Sequence, residues 1–266
     1  MQPGPIVGIV VALGAILVGN MLEGGHASSM VGGPAALIVL GGTIGAVIVQ
    51  YPFHTIGAAL KAAGATFKKA PIDPAKVVEE IVDYANRARR DGILALEKVS
   101  ESASDPFLRK ALMMAVDGVD STTLRETLEV AIGQEEEHGE DAAKVFEAGG
   151  GYSPTVGIIG AVLGLIHVMS NLSDIAAVGQ GIAAAFVATI YGVAVANIVF
   201  LPLAGRIKLA VRERALVREL MLTGVLAIQS GLNPKLVRDR LSEYVAAHAP
   251  KKGAGAPAGT PANASS

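Results

Sequence analysis

The chain has 266 residues, 51% of them hydrophobic and only 17% charged, with a formal net charge of −2. Soluble domains carry roughly a quarter charged residues, so this balance, with a mean hydropathy of +0.48, excludes an ordinary soluble protein. There is no cysteine, which rules out disulfides, thiolate metal sites and cysteine nucleophiles.

Residues 1–22 contain no Asp, Glu, Lys or Arg. Met1 to Gly4 lacks the basic start of a cleavable signal, and the apolar run is too long for one, so it reads as a retained span. Residues 24–60 are again free of charge; Gly24 to Gly33 is small and polar, and Pro34 suits a helix start, so this stretch holds one span. Charge then returns over 61–147. Pro71–Ile72–Asp73–Pro74 is a turn, and after it Val77, Val78, Ile81, Val82 and Ala85 recur at helical spacing. Further helices are expected over 91–102, 105–117 and 121–146, the last with a capping box of Thr122, Thr123 and Glu126. Residues 148–173 and 175–205 are uncharged and supply a third span, with Ser153–Pro154 as a helix start, and a fourth over about 181–203. A cytosolic helix over 205–230 and a short one over 234–247 follow, and the tail from Pro250 is rich in Ala, Gly, Pro and Ser.

The expected class is therefore an all-α membrane protein with four transmembrane helices and a helical cytoplasmic domain. Its segments are 1–57 (spans 1 and 2), 58–152 (cytoplasmic domain), 153–204 (spans 3 and 4), 205–248 (cytoplasmic C-terminal helices) and 249–266 (disordered tail). Residues 61–147 hold 12 of the 22 Lys and Arg and residues 205–266 hold the other 10, while the short links at 23–33 and 171–180 hold none. The positive-inside rule then puts both large segments and both termini in the cytoplasm. Tyr51, Phe53, Tyr152 and Phe200 fall at the cytoplasmic ends of the spans, where aromatic anchors collect.

Small residues line the spans at four-residue spacing: Gly4 and Gly8, Gly41 and Gly45, Gly160 and Gly164, then Ala188, Gly192 and Ala196. Such faces let backbones approach closely, within one chain or between subunits. No carboxylate lies in any expected span; the polar groups there are Thr43, His167, Thr189, Tyr191 and Asn197. Ion carriers ordinarily keep an acid in the membrane, so a chain like this one conducts ions only if another chain brings the carboxylate.

Several strings resemble the MotA/PomA family of flagellar motor stators. They are Pro154-Thr-Val-Gly-Ile-Ile-Gly-Ala-Val-Leu-Gly-Leu-Ile-His167, Ala188-Thr-Ile-Tyr-Gly192 with Asn197 and Pro202, Gly224-Val-Leu-Ala-Ile-Gln-Ser-Gly-Leu-Asn-Pro234, and Arg89-Arg-Asp-Gly-Ile-Leu-Ala-Leu-Glu97. The likeness runs from the N-terminus to about Tyr244. It implies a bacterial inner-membrane, multi-pass protein that forms a homopentamer around a dimer of a MotB/PomB-type partner. That partner's single span carries the ion-binding Asp, and ion flux drives torque on the rotor protein FliG. Beyond these partners the chain meets membrane lipid and no nucleic acid, and it needs no cofactor.

The resemblance also implies roles for single residues. Thr189, Ala161, His167 and Tyr191 fall on the ion path. Sodium-driven members carry Thr where this chain has Ala161; losing that oxygen disfavours a dehydrated sodium ion, so protons are expected as the transported ion in preference to Na+. His167 carries an imidazole suited to relaying protons, or it is a hydrogen-bonding helix contact. Pro154 and Pro202 match prolines that couple ion flow to movement, although a proline also starts or kinks any helix. Arg89, Arg90 and Glu97 match rotor-contacting charges; a solvated helix face is the plain alternative. The run Glu135, Glu136, Glu137, His138, Glu140 and Asp141 lacks metal-site order and reads as a solvated face.

Two other functions compete. An ExbB/TolQ-like proton-channel subunit shares the last two spans, but typically has three spans and a differently placed cytoplasmic domain. A membrane scaffold also suits small-residue helices. An enzyme is not expected, because the spans offer no nucleophile–base pair and only a single His.

Overall fold

The computed structural model describes residues 4–68, 72–170 and 172–248. The described residues form helices α1 (Gly4–Leu22), α2 (Gly33–Gln50), α3 (Phe53–Lys68), α4 (Pro74–Asp91), α5 (Leu96–Ser100), α6 (Pro106–Val116), α7 (Ser121–Ser170), α8 (Ile175–Ala194), α9 (Leu201–Gln229) and α10 (Pro234–His248), and no strands. Four helical stretches are long and apolar enough to cross a membrane: α1, residues 27–50, α7, and residues 178–229. The expected tail from Pro250 lies outside the described residues.

Two compact units divide the chain. The first comprises Met1–Ile72 with Glu129–Ala215, and the second Asp73–Leu128 with Leu216–Ser266. Helices α7 and α9 each supply residues to both.

In the first unit, α1 buries no side chain of its own. A helix apolar all round and only lightly packed within its chain belongs in lipid or against another subunit. Helix α2 starts at Gly33 with Pro34 in its first turn, as expected of a proline there, and buries Ala35, Val39, Thr43 and Val47, one residue per turn along a single stripe. Ala35 and Val39 meet Val187 and Ala188 of α8. Toward the charged end of the spans, Val47 joins Ala59 and Ala63 of α3, Ala142, Ala143 and Phe146 of α7, and Ala204 and Ile207 of α9.

Helix α7 differs from expectation. Residues 121–170 form one helix, and Pro154 lies inside it rather than at the start of a new one. Neighbouring packing in the first unit holds the helical path even though the proline removes one hydrogen bond. The N-terminus differs too: the Asp120 carboxylate accepts the backbone N–H groups of Thr122 (3.1 Å) and Thr123 (3.0 Å). The cap is thus an aspartate two residues upstream of the expected threonine box, and it serves the orphan donors of an earlier helix start with a charge-assisted acceptor.

The second unit is built on large aliphatics. Val77, Val78, Ile81 and Val82 of α4, Leu96 of α5, Leu108 and Leu112 of α6, Leu124 and Leu128 of α7, Leu220 and Met221 of α9, and Val237 and Leu241 of α10 are all buried. The expected α4 stripe is therefore the face that packs. The helix expected over 91–102 is interrupted, because Gly92 takes φ +82°, a left-handed conformation that suits glycine alone. It ends α4 and re-aims the chain into a short 3-10 turn at Ile93–Ala95 and then α5.

Candidate functional site in the paired spans and the α4–α5 corner

The third and fourth spans meet backbone to backbone. A Cβ placed on Gly192 would lie 2.6 Å from the Ser153 carbonyl oxygen and 3.0 Å from the Gly157 Cα. One placed on Gly157 would lie 3.0 Å from the Ala188 carbonyl oxygen, and one on Gly164 would lie 3.0 Å from the Ala185 Cβ. The stripe Gly157, Gly160, Gly164 therefore fits Ala185, Ala188, Gly192, which is how small residues hold helices together where no hydrophobic effect operates. Gly160 and Gly164 thus serve packing within the chain. Gly4, Gly8, Gly41 and Gly45 face open space instead, as a surface for other subunits or lipid does.

Ala161 and Thr189 lie one turn along from Gly157 and Ala185, on the flank of this contact, and both are half-buried in the single chain. Polar groups in the spans are mostly satisfied along their own helix. Thr189 donates to the Ala185 carbonyl (3.4 Å), Thr43 to Val39 (2.6 Å) and Asn197 to Val193 (2.9 Å), the back-bonding expected of short polar side chains in a membrane helix. His167 is exposed in the last turn of α7. Tyr191 is engaged elsewhere: its hydroxyl donates to the Met30 carbonyl (2.7 Å) and accepts the Gly32 N–H (3.1 Å). It ties the start of α2 to the fourth span, a structural contact that the sequence does not announce.

Two irregularities flank the small-residue contact. Pro154 deprives the Gly150 carbonyl of its helical donor, and beside it Ser153 is fully buried with a hydroxyl that makes no hydrogen bond. On the other helix the turn Val195–Phe200 is π-helical. It ends two residues before Pro202, whose ring would clash with the Ile198 carbonyl four residues back, and a wider turn relieves that clash. Phe200 lies against Gly149, 3.0 Å from a Cβ placed there. Ser153 and the π turn are features that sequence reasoning missed. The first carried only its place beside a proline; the second has no residue signature beyond Pro202.

Arg89 and Arg90 sit exposed in the last turn of α4, and Glu97 sits exposed in the first turn of α5. Basic groups at a helix C-terminus and acidic ones at an N-terminus suit the helix dipoles, so their placement is stable without any partner. The corner between them is braced by Glu80. Its carboxylate accepts the Tyr84 hydroxyl (3.0 Å), the Ser104 N–H (2.9 Å) and the Ser104 hydroxyl (2.5 Å), joining α4 to the loop after α5. Burial, then the Glu80 carboxylate, push the Tyr84 phenol well above its ordinary value, so it stays a donor at any physiological pH. In the acidic run of α7, Glu135 pairs with Arg214 (3.3 Å) and Asp141 with Lys144 (2.8 Å) at the surface.

Similarity to known proteins follows the same lines. The model of the MotA/TolQ/ExbB proton channel family matches residues 99–220, and that of the motility protein A N-terminal region matches residues 6–90. Motility protein A of Bacillus subtilis is 33% identical over 251 residues, covering 93% of this chain and 92% of that protein. Chemotaxis protein PomA of Vibrio alginolyticus is 34% identical over 231 residues, covering 87% and 90%. Among solved structures, that of C. jejuni MotAB superposes with a TM-score of 0.89 at 29% identity, covering 96% of this chain and all of that one. The flagellar MotAB stator complex of Bacillus subtilis gives 0.84 at 33% identity, covering 90% and 94%. With four membrane-capable helices, small-residue packing of the last two, and this likeness over nearly its whole length, the chain belongs to the motility protein A family.

Proposed function

We propose that this chain is the multi-span stator subunit of a bacterial flagellar motor, five copies surrounding two copies of a MotB-type single-span protein. The carrying observation is that its four spans hold no carboxylate and satisfy most of their polar groups locally, while its structural relatives are two-component MotAB complexes. The ion-binding acid comes from the partner span, beside the flank of α7 and α8 that bears Ala161 and Thr189, with His167 and Tyr191 further along the same pair of helices. Pro154 and Pro202, with the π turn before the latter, are the points where the helices yield as ions pass. Arg89, Arg90 and Glu97 deliver the force to FliG. Each unit charge crossing gains roughly 2.3 kcal/mol per 100 mV, so many ions serve one revolution. Both termini lie in the cytoplasm, following the basic residues.

Deleting the gene is expected to leave flagella assembled but paralysed, with motility restored by the chain supplied from a plasmid. Loss of the filament itself would count against a stator. Glu97→Lys is expected to impair swimming while membrane levels of the protein stay unchanged; normal swimming would remove Glu97 from the force-bearing set.

Protons are the transported ion, because Ala161 offers no oxygen where sodium-driven members have Thr. Swimming is then abolished by a protonophore and indifferent to external sodium; the reverse pattern overturns it. The ExbB/TolQ reading has in its favour the match over residues 99–220, which that group shares. The motility-specific match over residues 6–90 favours the stator.

A further inference from the structure

Helix α3 behaves unlike a soluble helix. One face buries Ala59, Ala63 and Thr66. The other leaves Phe53 76% and Leu60 63% exposed, and Lys61 beside them. Large apolar residues left bare for two turns beyond the end of α2, then a lysine, are the pattern of a helix lying in the headgroup layer. Opposite it, α9 leaves the fourth span with Arg206, the first charge after an uncharged run that reaches back to 175.

Between α3 and α9 lies a cleft of about 230 Å³. Ala62, Ala65 and Thr66 form one wall; Arg206, Leu209, Ala210 and Val211 form the other, with Ile207 also in the lining. Arg206 is half-buried and lines this cleft, its guanidinium reaching toward the Thr66 carbonyl at 3.5 Å. The two remaining charges of the lining, Glu213 and Arg214, lie seven and eight residues further on, about 10–12 Å along the helix axis. Arg214 is paired there with Glu135. The membrane-proximal end thus carries the basic group of the lining, while the distal end, where Arg214 is matched by Glu135 and Glu213 remains, is net acidic.

We propose that this cleft binds the phosphate of an anionic phospholipid from the adjoining leaflet, with Arg206 as the anchoring residue. A guanidinium presents paired donors matched to phosphate oxygens, and basic recesses between membrane helices on the cytoplasmic side hold such headgroups. The apolar walls separate this site from one for free phosphate: Leu209, 52% exposed although it follows Arg206 into the charged segment, suits the glycerol and upper acyl carbons. The site needs neither ion flux nor rotor contact, so its failure leaves the stator reading untouched.

The full chain, isolated with its partner subunit and exchanged into phosphatidylcholine discs, is titrated with phosphatidylglycerol, and bound lipid is read by native mass spectrometry. Wild type retains phosphatidylglycerol over phosphatidylcholine. Arg206→Ala lowers that retention roughly fivefold, the weight of one arginine at a membrane surface, and Arg206→Lys falls in between. Arg240→Ala, in α10, leaves it unchanged. Ala210→Leu fills the cleft without altering charge and serves as a second variant should Arg206→Ala not accumulate; it also lowers retention. Unchanged retention in Arg206→Ala, or in Ala210→Leu when Arg206→Ala is not obtained, overturns the proposal. So does full displacement of the lipid by soluble glycerol phosphate, which marks a free-phosphate site.

Discussion

The two units of this molecule solve the packing problem with opposite materials. The second buries Leu96, Leu108, Leu112, Leu124, Leu128, Leu220 and Leu241 to nearly zero exposure, a core of large side chains driven together by loss of water. The first joins its third and fourth spans through Gly157, Gly160, Gly164, Ala185, Ala188 and Gly192. In lipid, a leucine gains nothing by leaving one hydrocarbon environment for another, and close backbone approach takes over. Adding atoms therefore harms one unit, and removing them harms the other.

The largest expected effect follows from Gly192. Any side chain there meets the Ser153 carbonyl on one side and the Gly157 backbone on the other, and neither can rotate away. Gly192→Leu should force the third and fourth spans apart, an overpacking of at least about 1–3 kcal/mol, and swimming should be lost even where immunoblots still find the chain in the membrane. Gly151→Ala adds a methyl where nothing lies within 4 Å and should swim as wild type. Equal behaviour of the two variants would dissolve the contrast between the units.

The opposite experiment belongs to the second unit. Leu96 is fully buried and roots the short α5 that carries Glu97. Leu96→Ala is expected to cost about 2–5 kcal/mol, seen as a lower thermal midpoint of that unit in the detergent-solubilised full chain. Motility should then suffer although every surface charge remains. An unchanged midpoint would show that α5 is held by the Glu80 bridge to Ser104 rather than by its core residue.

Much of this was legible beforehand, and the misses have physical causes. The spans stand out because charge is absent from them, and the α4 stripe because helical spacing survives in Val77, Val78, Ile81 and Val82. The glycine spacing showed that some faces were flat without showing which partners they meet. Only coordinates distinguish Gly160, which meets Ala188, from Gly41, which meets open space. The α7 interior was harder, since Pro154 ordinarily begins a helix and only packing on both flanks keeps it inside one. The Tyr191 hydroxyl bonds a loop some 160 positions away, a contact added to whatever else the residue does; nothing local encodes that pairing.

The smallest effect tests the start of α7. Asp120 caps it from the second unit's surface, and its carboxyl is held below the ordinary aspartate range, first by the Thr123 hydroxyl and then by the backbone N–H groups it accepts. The folded state therefore binds this proton less readily than the unfolded chain does. The resulting stability is present in full above the ordinary carboxylate range and fades as pH falls through it toward the depressed native value. Asp120→Ala should lower the urea midpoint slightly at neutral pH, and the gap from wild type should narrow in acid. Asp120→Asn keeps a capping oxygen but has no proton to gain, so its cap should be insensitive to acid over the same range. A gap between Asp120→Ala and wild type that stays constant in acid would assign the cap's value to hydrogen-bond geometry alone. The charge would then contribute nothing to where this 50-residue helix begins.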